Sequence, residues 1–83
     1  ELARIVAWPV EDCAGLLAFV RSIWNWPEYA WEAGGMVSLA TGGWSGNEDI
    51  IAALQENAMF WCLCWQSSHR GGQHWFKPWK AAK

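Results

Sequence analysis

The chain has 83 residues, nine of them tryptophan, and a net charge of −2. One domain of this length has a small core, so aromatic rings must supply much of the burial, at about 25 cal/mol per Å² of apolar area removed from water. The weak negative charge lacks the basic patch that nucleic-acid phosphates require, and it is too small for a good imitation of DNA.

Residues 1–7 are mixed, and Leu2, Ile5 and Val6 predict a brief extended arm. Trp8-Pro9 opens a first helix over 9–25, with Pro in the first turn and Glu11 and Asp12 at the positive end of the dipole. Val10, Cys13, Leu16, Leu17, Val20, Ile23 and Trp24 recur at helical spacing. Asn25-Trp26-Pro27 ends the helix, because the residue before proline is pushed out of the helical region.

Residues 28–33 and 36–41 read as two strands around Gly34-Gly35, a two-residue hairpin link. In that register Trp31 faces Ser38 and Tyr29 faces Ala40. Ala30 with Leu39, and Glu32 with Val37, fall on the opposite face. A glycine-rich turn, Gly42–Gly46, leads into a second helix capped by Ser45 or Asn47, with Glu48 placed for a capping box. Trp44, set among glycines, is expected to be buried between that helix and the sheet.

The second helix is predicted to run to Arg70 and stop at Gly71-Gly72. Its stripe is Ile51, Leu54, Ala58, Trp61, Cys62 and Trp65. From Ala58 to Trp65 every residue is apolar, so this half is expected to be fully covered by the first helix and the sheet. Gln73–Lys77 alternates as a final strand closed by Pro78, pairing with the first strand. The expected fold is a two-layer α+β domain in the order α-β-β-α-β. Two helices pack on a three-stranded antiparallel sheet of spatial order 2-1-3.

Several groupings suggest chemistry. Cys62, Cys64, His69 and His74 are zinc-type ligands, but residues at i and i+2 of a helix point about 200° apart and do not converge. The expectation is three reduced, buried thiols, with no metal and no cofactor. Ser67, Ser68 and His69 place hydroxyls beside an imidazole without the third, orienting group that nucleophilic catalysis needs. Glu28, Glu32, Glu48, Asp49 and Glu56 show no marked acid–base pair, and Glu48 and Asp49 suit the helix dipole. The turn before the second helix could hold an anion, yet it has no Lys and matches no phosphate-binding fingerprint. The reading is of a protein that is not an enzyme.

Nine indoles exceed what so small a core encloses, so two to four tryptophans should be partly exposed. Trp24, Trp26, Trp31, Trp75 and Trp79 are the candidates, and Trp is the residue most enriched where binding energy concentrates. Trp26, Trp31, Trp75 and Trp79, with Arg70, form the predicted binding set. Trp44, Ser45, Asn47, Trp61 and Trp65 are assigned structural roles. Four of the six basic residues lie at or after position 70. Arg70-Gly71-Gly72 beside His74, Trp75, Phe76 and Lys77 could instead stack single-stranded bases. With no signal peptide and no membrane-length apolar run, the expected setting is the cytoplasm, away from membranes.

Thr41-Gly42-Gly43-Trp44-Ser45-Gly46-Asn47-Glu48-Asp49-Ile50-Ile51, Phe60-Trp61, Trp65-Gln66-Ser67-Ser68 and Arg70-Gly71-Gly72 together resemble a group of small uncharacterised bacteriophage and prophage proteins. The likeness covers a little under half of the chain, plus the turn at Trp26-Pro27-Glu28. Gly72-Gln73-His74-Trp75 departs from a more usual Gly-Gly-His-aromatic ending, and this touches only the last strand. The resemblance implies a viral or prophage origin and assigns no catalytic residue. A phage accessory factor that binds a protein, such as an inhibitor of a host or defence protein, or that self-associates, fits that origin.

Overall fold

Proline divides the N-terminal region. In the computed structural model, which describes residues 2–25 and 27–78, the helix expected over 9–25 is preceded by a helix of its own, α1 (Leu2–Ala7). Pro9 is extended, at φ −67° and ψ 136°, and separates α1 from a 3₁₀ turn at Val10–Asp12 and from α2 (Cys13–Ile23). Trp8 reinforces the bend: its indole N–H donates to the Asp12 carbonyl at 3.1 Å and to the Asp12 carboxylate at 3.2 Å. The extended arm expected for residues 1–7 is thus helical. Tertiary contacts hold it, with Ile5 fully buried and the Arg4 guanidinium 4.6 Å from the Phe19 ring centre.

The predicted hairpin forms in the predicted register but is shorter: Pro27–Tyr29 is a 3₁₀ turn, so the first strand starts at Ala30 and the expected Tyr29–Ala40 pair is absent. β1 (Ala30–Ala33) and β2 (Met36–Ala40) are antiparallel, with Trp31 opposite Ser38 and Glu32 opposite Val37. Gly34 and Gly35 have φ of 59° and 79°, the left-handed pair that a tight two-residue turn demands.

The long second helix does not exist as one element. α3 (Ser45–Glu56) ends where Asn57 turns out at φ −81° and ψ 82°, and α4 (Ala58–Cys64) follows. The Asn57 side chain makes the break. Its Oδ1 accepts from the Phe60 N–H at 3.3 Å, and its Nδ2 donates to the carbonyls of Ile5 and Trp8, each at 3.0 Å. One amide thus caps α4 and satisfies the end of α1. Trp65 then leaves the helix, and Trp65–His69 is a strand, β3. Arg70-Gly71-Gly72 turns this strand back into β4 (Gln73–Phe76) rather than stopping a helix.

Among the described residues the architecture is therefore four α-helices and a four-stranded antiparallel sheet of order β1-β2-β4-β3. This corrects the expected two helices and three strands. The last strand pairs with β2, not with β1, because β3 and β4 form a second hairpin that docks β4 centrally. Strand alternation sends Val37, Leu39 and Phe76 to one face, where they join Ile5, Leu16, Leu17, Val20, Leu54 and Phe60 in a single core. The helices cover this face.

The seven-residue α4 buries only Phe60 and Cys64, one turn apart, with Trp61 packed beside them. Met59 is 59% exposed and Leu63 36%. The expectation of a fully covered apolar segment fails because a helix this short presents one narrow stripe to the core. Cys62 is likewise exposed rather than buried, while Cys13 and Cys64 lie in the core.

Candidate functional site

The face of the sheet turned away from the helices is built by the same alternation that builds the core. Val37 and Leu39 point inward, so Ser38 between them points outward; Trp31 and Trp75 are its register partners on either side, and Ser67 lies opposite Trp75. The row Trp31, Ser38, Trp75, Ser67 crosses all four strands without a charged side chain. The two indoles meet edge to face, with centroids 6.3 Å apart and planes at 87°, a favoured arrangement of aromatic quadrupoles.

Ser38 is fully buried beneath this pair, and its hydroxyl accepts from the Gln73 side-chain amide at 3.2 Å. Trp31 remains 39% exposed, Trp75 is half-buried, and Tyr29 is exposed just before β1. The result is an aromatic surface on a four-stranded sheet, with one polar group satisfied underneath.

Of the predicted binding set, the structure brings Trp31 and Trp75 together. Arg70 is exposed in the β3–β4 turn, at one end of the sheet. Trp26 and Trp79 lie outside the described residues. Trp24 is buried, and its indole N–H donates to the Ala40 carbonyl at 3.1 Å, so it holds α2's exit against β2 and offers no contact surface.

The residues assigned structural roles divide differently. Trp44 is 48% exposed and is not a plug between helix and sheet; its indole lies over Gly46, on the outside of the turn. It serves α3 as N-cap by backbone alone, its carbonyl accepting from the Glu48 N–H at 3.0 Å. Ser45 is the first helical residue rather than the cap. Asn47 does not cap either, because its amide is engaged elsewhere. Its Oδ1 accepts from the Asn25 backbone N–H at 2.9 Å, while its Nδ2 donates to the Asn25 carbonyl at 2.9 Å and the Thr41 carbonyl at 3.3 Å. Fully buried, it clamps the chain leaving α2 to the chain leaving β2.

Trp61 and Trp65 stack at 5.8 Å and 15°, a second aromatic group beside β3. The Trp65 indole N–H donates to Ser68 Oγ at 2.8 Å, and Ser68 Oγ lies 2.7 Å from His74 Nδ1. An indole can only donate, so Ser68 Oγ accepts from Trp65; toward Nδ1 the same hydroxyl either donates or accepts through its second lone pair, according to the imidazole tautomer. Burial pushes the His74 imidazole below its ordinary value, which favours the neutral ring over the imidazolium. Ser67 pairs with His69 at 3.1 Å, so the two serines serve different histidines. Among the described residues no three His, Cys, Asp or Glu side chains gather as a metal ion would require.

Ser38 follows from the hairpin register as the partner of Trp31, but its burial under the indoles and the roles of Gln73, Asn25 and Asn57 come only from the tertiary structure. Of the last three, only Asn57 carried a local signal: a favoured N-cap residue between Glu56 and Ala58. No helix of the described residues is long and apolar enough to cross a membrane. The chain matches no protein-family model, no curated protein and no solved structure.

Proposed function

We propose that this chain acts by binding a protein partner, with the helix-free face around Trp31 and Trp75 as the contact surface. The observation that carries the reading is the edge-to-face pair of those indoles on a hydrogen-bonded sheet, in a row free of charge. Such a surface has the large, preordered aromatic area of an interface hot spot and loses little side-chain entropy on binding. Together with the bacteriophage resemblance, it supports a small phage-type accessory protein working in the host cytoplasm, for which blocking a host or defence protein is a fitting mode. Its action is binding rather than catalysis.

The second reading is stacking of single-stranded bases, favoured by the same two open rings. Phosphate contact would call on Arg70 and Lys77, which stand at the margins of the neutral row. Affinity capture with the wild-type chain and with a Trp31→Ala/Trp75→Ala variant separates the two. The protein reading expects capture to fall by about thirtyfold or more in the variant, the effect of losing about 2 kcal/mol at a hot spot. It also expects weak dependence on salt. Steep loss of binding with salt, and with Arg70→Ala/Lys77→Ala, assigns the face to nucleic acid.

A further inference from the structure

The two edges of the sheet differ. β3 carries a register shift between Trp65 and Ser67, a bulge of the kind that blunts an edge. β1 is the other edge, and its four residues run in unbroken register from the hairpin turn. In a two-residue turn the closing pair, here Ala33 and Met36, exchanges both hydrogen bonds, and the pattern then alternates. Trp31 therefore spends its N–H and C=O on β2. Ala30 and Glu32 direct theirs away from the sheet, and among the described residues no strand pairs with that side.

Beside this edge, on the helix side, lies space. Ala18, Arg21, Ser22 and Ala30 line a cavity of about 330 Å³. A second, of about 650 Å³, lies at the hairpin end of the sheet, where Glu32 and Gly35 on one side face Leu63 of α4 and Lys77 and Pro78 beyond β4 on the other, with Ala14 between. α2 lines both cavities, through Ala14, Ala18 and Ser22 on successive turns, and β1 contributes Ala30 to one and Glu32 to the other. The small side chains of α2 leave room for another layer of backbone, at the strand spacing of about 4.8 Å. An inward-pointing charge such as Glu32 commonly guards an edge; here it is paired with Arg21 of α2 at 3.4 Å.

We propose that the β1 edge, walled by α2, accepts an extended segment of a partner protein as a fifth strand. This rests on the reading of Trp31 and Trp75 as a protein-binding face and names the form the partner takes there. The occupant follows from chemistry: alternating backbone donors and acceptors along a strand are matched by another extended backbone. Its side chains alternate too. Those turned toward α2 must be small, and those turned the other way lie beside Trp31 and are apolar.

The test uses a displayed library of random twelve-residue peptides, selected on the full chain. Selected peptides are expected to alternate small and apolar residues and to slow amide exchange at Ala30 and Glu32. Glu32→Pro removes an outward N–H that the fold does not use, a substitution edge strands tolerate. It should leave the amide spectrum of the fold intact and weaken peptide binding about tenfold or more, with Glu32→Gln much milder. Failure to enrich any peptide, or unchanged exchange at Ala30 and Glu32 in the peptide complex, overturns the proposal without using a variant. Binding that is lost in Trp75→Ala but equal in Glu32→Pro overturns strand addition and leaves the aromatic-face reading standing. Loss in Glu32→Pro alone supports strand addition and counts against that face. Protection of the same amides by self-association, without peptide, gives the edge to a second copy and overturns a peptide occupant.

Discussion

Asn47 and Trp44 are three residues apart, and their surroundings exchange the roles that a local reading assigns. Asn47 is fully buried and bonds to both backbone groups of Asn25 and to the Thr41 carbonyl. Asn47→Ala strands those groups, so it should cost about 3 kcal/mol at roughly 1 kcal/mol per bond. Trp44→Ala, with about half of the residue already in water, should cost less, about 2 kcal/mol; urea titration of both variants checks the order. His74 supplies a pH dependence. Its folded-state value lies below the ordinary value of about 6.5, so the unfolded chain takes up the proton first as pH falls. Its contribution is complete above that ordinary value and declines as the pH drops toward the folded-state value. The melting temperature should fall between pH 7.5 and 5.5, and His74→Gln should flatten that part of the profile.

Elements set by local pattern were legible, and those set by distant pairing were not. The β1–β2 hairpin announces itself through alternation and Gly34-Gly35, and its register and two faces follow from the sequence. The run Ala58–Trp65 is apolar throughout, so it has no period to distinguish helix from strand. What turns Trp65–His69 into a strand is its pairing with β4, and β4 in turn is fixed by β2. α1 depends on Asn57, some fifty residues away in the chain. The β3–β4 turn shows how tightly this second hairpin is tied. Gly72 has φ 79°, and a side chain there would run into the Thr41 hydroxyl, whereas Gly34, at φ 59°, has nothing near it. Gly34→Ala should therefore cost about 1 kcal/mol, from backbone strain alone. Gly72→Ala adds the collision, so its melting temperature should fall clearly further.

At the scale of the whole molecule, helices stacked on one side of the sheet leave the other side, among the described residues, to side chains. The indoles of Trp31 and Trp75 were foreseeable as surplus to a small core. Their adjacency was not, because it needs β4 beside β2. That placement of β4 makes two separate tryptophans one surface, and the account stands on the surface being a contact site. A photo-crosslinking amino acid such as benzoylphenylalanine, placed at position 31 and separately at the exposed Glu11 before α2, tests this in the cells that naturally hold the chain. A protein adduct of defined mass is expected from position 31 and none from position 11. Adducts from position 11 alone, or a nucleic-acid adduct from position 31, would contradict it.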